Sequence, residues 1–182
     1  MTFSAELLLH PETPTRVVQR VAVRGERTAD DRLLLDYRIE GAVGAMRIPP
    51  PTAPARVDGL WQYTCLEAFV RVAGEDAYCE LNLSPSGEWQ VYGFSGYREF
   101  SGLPDAAVPS IDAEAADSVL RIRAVVSLPS LAPVYERADL RLALSAVVEE
   151  RDGTLSYWSL YHPPGRADFH HADAFRIELE RR

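Results

Sequence analysis

The chain contains no lysine. All 19 basic residues among its 182 are arginine, and 27 acidic residues outweigh them to leave a net charge of −8. That absence excludes Schiff-base chemistry, a phosphate-loop lysine and a lysine general base. The acidic balance argues against a nucleic-acid partner, because phosphate neutralisation needs a concentrated basic surface. Cysteine is nearly as scarce. Cys65 and Cys79 are too few for the disulfide framework of a small secreted domain, and two thiols alone do not complete a zinc site. Long apolar runs are missing as well. The N-terminal stretch stops at His10 and Pro11 with no basic leader, and nowhere do about 18 apolar residues follow one another. No membrane partner is expected, and the expected location is cytoplasmic.

What is present reads as strands throughout. Runs rich in Val, Leu, Ile, Tyr and Phe alternate with clusters of Gly, Pro, Asp and Ser. Strands are expected at Glu6–Leu9, Arg16–Arg24, Arg32–Ile39, Ala45–Ile48, Cys65–Val72 and Ala77–Leu83. Others follow at Glu88–Phe94, Ser118–Ser127, Asp139–Glu149, Leu155–Leu160 and Ala174–Glu180. In Val119–Arg123, Leu120 and Ile122 face one side while Arg121 and Arg123 face the other. Leu140, Leu142, Leu144, Ala146 and Val148 repeat the pattern. A short helix is expected at Asp112–Asp117 and a helical turn near Leu131–Arg137. Pro49, Pro50, Pro51 and Pro54 mark a semi-rigid loop. With no internal repeat or composition shift, residues 1–182 read as a single domain, an all-β antiparallel sandwich of about ten strands.

The centre of the chain is the most informative part. Ala73–Asp76 closes a hairpin in which Arg71 faces Tyr78, Phe69 faces Glu80, and Glu67 faces Asn82. The opposite face carries Leu66, Ala68, Val70, Cys79, Leu81 and Leu83, so one face is core and the other polar. Cys65 and Cys79 fall on opposite faces and are expected to be free thiols. Pairing Leu83 with Glu88 across the next loop would set Trp89 beside Asn82. A register shifted by one residue would turn Trp89 inward. A face bearing a carboxylate, an amide, a guanidinium and an aromatic ring suits a polyhydroxylated ligand. The alternative is a solvated face of surface ion pairs.

The run Leu60–Phe69 resembles the Trp…Glu-x-Phe segment of DOMON-like domains and the related family-nine carbohydrate-binding modules. Tyr78–Trp89 is similar to the strand pair that follows in that superfamily. Ser159–Pro163 with Asp168–His170 is similar to the end of its bacterial single-domain members. The resemblance implies a jelly-roll-like sandwich that binds a sugar or a haem. In the sugar-binding modules tryptophans sandwich a terminal sugar while polar side chains hold its hydroxyls. Glu67 matches the glutamate of that pattern, Trp61 one aromatic wall and Trp158, loosely, a second. The haem-binding branch uses a methionine and a histidine. Met46 is the methionine besides Met1, with His162, His170 and His171 as partners. A lone methionine among apolar neighbours reads more readily as core.

His162, Asp168, His170, His171 and Asp173 crowd one late loop. The set has metal-ligand chemistry without a standard metal spacing. A loop packed over the sandwich, its histidines tied to backbone groups, accounts for it more simply. Gly93–Tyr97 misses the nucleophile-elbow pattern, because Tyr97 stands where its second glycine belongs. No catalytic or metal-binding residue is expected. The expected activity is therefore binding of a small carbohydrate or related polar ligand without a cofactor, with haem binding as the alternative. The residues expected to bind are Trp61, Glu67, Arg71, Glu80, Asn82, Trp89, Trp158, His162 and His170.

Overall fold

The structure, a computed structural model, describes residues 1–181. Its strands are β1 (Thr2–Leu9), β2 (Val18–Arg27), β3 (Arg32–Gly41), β4 (Cys65–Val72), β5 (Tyr78–Leu83) and β6 (Trp89–Gly96). They continue as β7 (Glu99–Gly102), β8 (Ser110–Ala115), β9 (Val119–Ser127), β10 (Leu140–Glu149), β11 (Leu155–Ser159) and β12 (Ile177–Leu179). These strands pair with one another antiparallel, in the order β7-β6-β5-β4-β10-β11-β1-β2-β3-β9-β8, with β12 also on β10, and a single parallel bridge joins Arg56 to Trp89. β1 joins the two layers: Thr2–Leu7 pair with β2, whereas Leu8 and Leu9 pair with β11.

The layers face each other through the alternate residues that the sequence makes apolar. Val21, Val23, Leu33, Leu35, Ile39, Leu120 and Ile122 from one layer share a buried cluster with Leu66, Ala68, Val70, Leu81, Leu142 and Leu144 from the other. Each fully buried aliphatic side chain there contributes about 1.5–3 kcal/mol over leaving it in water. The interior also takes a guanidinium. Arg27 is fully buried, donating to Asp31 Oδ1 at 2.7 and 2.9 Å and to the carbonyls of Ala138 and Tyr135, each at 2.8 Å. Its guanidinium thereby ties the end of β2 to the segment between β9 and β10.

Three expectations need correction. Residues 112–117 are not helical, because Asp112 and Glu114 alternate along edge strand β8 and both meet Arg123, at 2.6 and 2.7 Å. Ala45–Ile48 is not a strand. A 3-10 turn covers Val43–Ala45 and only a single bridge, Met46 to Glu150, follows before the prolines. Finally, Leu83 pairs with Trp89 rather than with Glu88. Gly87 is the physical reason: at φ +94 it ends a turn closed by its own N–H to Ser84 O, which makes a three-residue loop and sets Ser84 against Glu88. The expected turn near Leu131–Arg137 is present, as a four-residue helix α1 (Leu128–Leu131) and a 3-10 segment Pro133–Arg137.

Candidate functional site

Registers across β6, β5, β4, β10 and β11 align Gln90, Asn82, Glu67, Ser145 and Ser159 in one row on the outer face of the second layer. The next row carries Tyr92, Glu80, Phe69 and Ala143. Solvent does not cover this face. The chain after β11 folds back over it, packing Phe169, Ala174 and Phe175 against Phe69, Tyr78, Ala143 and Val147. Glu67 and Glu80 are left only 3% and 7% exposed.

Between the returning loop and the sheet lies an open cavity of about 640 Å³. Glu67 and Glu80 lie at its base on neighbouring strands. Trp61, Tyr92, Phe94, Tyr157 and Phe169 supply aromatic walls, and Arg98, Arg166, His10, Glu12, Thr13 and His170 add polar lining. A local backbone device delivers Trp61. Gly59, at φ +80, opens the 3-10 turn Leu60–Gln62, which buries Leu60 and leaves Trp61 44% exposed. The left-handed conformation favours glycine there, since any Cβ would be strained at that φ.

The lining side chains are held in place. Asn82 Nδ2 donates to Glu80 Oε1 at 2.6 Å and Ser145 Oγ donates to Glu67 Oε2 at 3.1 Å. Asp58 accepts from Tyr92 Oη at 3.1 Å and from Gln90 Nε2 at 2.9 Å. Arg98 is fixed by Asp168 at 2.7 Å, and Tyr97 donates to the other oxygen of that carboxylate, also at 2.7 Å. The Arg98 amide donates to Tyr78 Oη, which shares a 2.7 Å hydrogen bond with His170 Nδ1. That leaves His170 Nε2 turned toward Glu80, 3.6 Å from Oε2.

Burial sets the protonation of this group. It pushes the Glu67 carboxyl well above its ordinary range, reinforced by the neighbouring Glu80, and it also raises Glu80 itself. Burial drives His170 down to about 4, with Arg98 adding to the effect, so the ring is neutral at pH 7. The arrangement offers hydrogen-bonding carboxyls under aromatic faces, the chemistry that holds a hydroxyl-rich ring.

Of the nine residues expected to bind, Trp61, Glu67, Glu80 and His170 line this cavity, and Asn82 anchors Glu80 beneath it. The other four lie elsewhere. Arg71 shares the face but stacks its guanidinium 4.2 Å from the Phe175 ring, outside the cavity. Trp89 points into the interior, as the Leu83–Trp89 pairing requires, and Trp158 does likewise, donating Nε1 to Ser156 Oγ. His162 donates Nε2 to the Leu8 carbonyl at 2.8 Å, tying the loop to β1. Met46 is enclosed in the core between the layers, whereas His170 and His162 lie in the loop on the outer face. Ser95 lies on antiparallel strand β6 and donates to Glu99, so no nucleophile elbow forms.

Sequence reading missed Tyr92, Phe94, Arg98, Tyr157, His10, Arg166 and Phe169. Tyr92 and Phe94 were hidden by the register alone: once Trp89 turns inward, alternation puts Gln90, Tyr92 and Phe94 on the cavity face. Tyr157 follows from Trp158 in the same way. The others arrive from loops remote in sequence, for which no local pattern exists.

Neither a protein-family model nor a curated protein matches the sequence. Solved structures do match its fold. One is described as a "putative carbohydrate-binding protein" from Bacteroides uniformis, at a TM-score of 0.69 and 14% identity, covering 96% of this chain and 84% of the other. Another is a family-nine carbohydrate-binding module from Caldicellulosiruptor kristjanssonii in complex with cellotriose, at a TM-score of 0.51 and 7% identity, covering 85% of this chain and 75% of the other. At these identities the likeness is one of fold: the chain shares the antiparallel β-sandwich of a family-nine carbohydrate-binding module.

Proposed function

We propose that this chain is a non-catalytic binding domain that takes a small carbohydrate into the cavity above Glu67 and Glu80. The observation that carries the reading is a buried pair of hydrogen-bonding carboxyls beneath an aromatic wall, in a cavity open to solvent. Both structural neighbours add support, one described as carbohydrate-binding and the other bound to cellotriose. A sugar ring lies with its C–H face on Trp61 and Tyr92, while its hydroxyls meet Glu67, Glu80 and Arg98. Because Ser145, Asn82 and Asp168 already fix those side chains, little side-chain entropy is lost on binding.

Isothermal titration against glucose, xylose, galactose, cellobiose and cellotriose tests the reading. At least one of these sugars is expected to give a saturable heat that weakens when Trp61 is replaced by alanine. Absence of heat with every sugar contradicts it.

A further inference from the structure

The two carboxyl groups of the cavity are short of partners. Glu67 Oε2 takes one hydrogen bond from Ser145 and Glu80 Oε1 one from Asn82, both neutral donors. Among the described residues, Glu67 Oε1 and Glu80 Oε2 accept no hydrogen bond, and the His170 ring nitrogen is 3.6 Å away. Buried carboxyls ordinarily come with a cation. Arg98, whose charge acts on both carboxyls, is already engaged, donating to Asp168 at 2.7 Å. Arg166 and Glu12 line the same cavity with opposite charges.

We infer, resting on the carbohydrate reading above, that the preferred ligand is an amino sugar whose protonated amine sits between Glu67 and Glu80. An ammonium group donates three hydrogen bonds and carries the charge that this pair lacks. Aromatic rings beside the pair suit it as well, because Tyr92 and Phe94 line the same space and their ring faces attract a cation. A metal ion is a poorer match. No group of three or more His, Cys, Asp or Glu side chains able to hold one comes together among the described residues. A neutral sugar hydroxyl fits sterically but supplies no charge.

Titration with glucose, glucosamine and N-acetylglucosamine decides the matter, since the three differ only at one ring carbon. Charge-assisted hydrogen bonds predict glucosamine binding about tenfold tighter than glucose at neutral pH. N-acetylglucosamine, with its amine neutralised, loses that advantage. Glu80→Gln brings the glucosamine-to-glucose ratio toward one, whereas Trp61→Ala weakens both sugars and leaves the ratio in place. Equal affinity for glucose and glucosamine, or a preference for N-acetylglucosamine, overturns the inference while leaving the carbohydrate reading standing. Silence with all three sugars, when xylose, galactose, cellobiose or cellotriose binds, overturns the amine assignment alone. Silence with every sugar overturns both.

Discussion

Tyr37 and Glu67 lie on opposite layers of the sandwich, and the tyrosine hydroxyl donates to the glutamate's main-chain carbonyl at 2.9 Å. Both are buried, so the base of the cavity is pinned from behind by the facing sheet. Removing that hydroxyl in Tyr37→Phe is expected to lower stability by about 1 kcal/mol, read from urea unfolding. An unchanged midpoint would mean that the bond is replaced without cost.

Arg27 is expected to matter more. Arg27→Met keeps much of the side-chain volume but strands Asp31 and two carbonyls that now accept from the guanidinium. Losing the hydrogen bonds of this charged group, with Asp31 left 22% exposed, costs about 1.5–3 kcal/mol. Urea unfolding of the variant should show a loss of that size. A change below 1 kcal/mol would show that water satisfies the stranded groups.

Gly87→Ala tests what sets the register of β5 and β6. The left-handed backbone at φ +94 is strained for any residue with a Cβ, at a cost of about 1 kcal/mol. The variant should unfold at lower urea by that amount with Trp89 still buried, since the inward face keeps Val91 and Trp89 together. A red-shifted emission from Trp89 in the folded variant would instead reveal a slipped strand.

The cavity carboxyls and His170 give stability a defined pH dependence. The folded pKa of Glu67 and Glu80 lies above the ordinary 4.5, so the native state keeps protons that the unfolded chain releases, and stability falls as pH rises. His170 has the opposite sign. Its folded pKa of about 4 lies below the ordinary 6.5, so its contribution is lost as pH falls through that interval. Above pH 6.5 the Glu67 carboxyl, pushed up to about 8, carries the decline, with Arg98 opposing it in part. Melting temperature should therefore decline from pH 6.5 toward pH 8, and Glu67→Gln should flatten the decline. A wild-type curve that rises over this range contradicts the assignment.

Much of the sandwich was legible because alternation at period two reports burial directly. Leu140, Leu142, Leu144, Ala146 and Val148 all enter the core as their spacing indicates. The pairing of Glu67 with Asn82 was legible for a related reason, since the short Ala73–Asp76 loop leaves little freedom in register. Where one glycine decided the loop length, at Gly87, the reading slipped by one residue, and Trp89 was exchanged for Tyr92 and Phe94. The acidic, alanine-rich run at 112–117 has helix propensity, but cross-strand contacts with Arg123 override it. Phe169 and Arg98 reach the cavity through long-range packing, which strand alternation does not encode.

Tryptophan fluorescence tests the central claim most directly, because the three tryptophans occupy different environments. Trp89 and Trp158 are enclosed in the core, while Trp61 stands 44% exposed at the cavity wall. Titrating glucosamine or cellotriose into the protein should shift and saturate the emission, with the same midpoint as the calorimetric heat, and Trp61→Phe should abolish the signal. A saturable heat with unchanged Trp61 emission would place the ligand elsewhere and contradict the account.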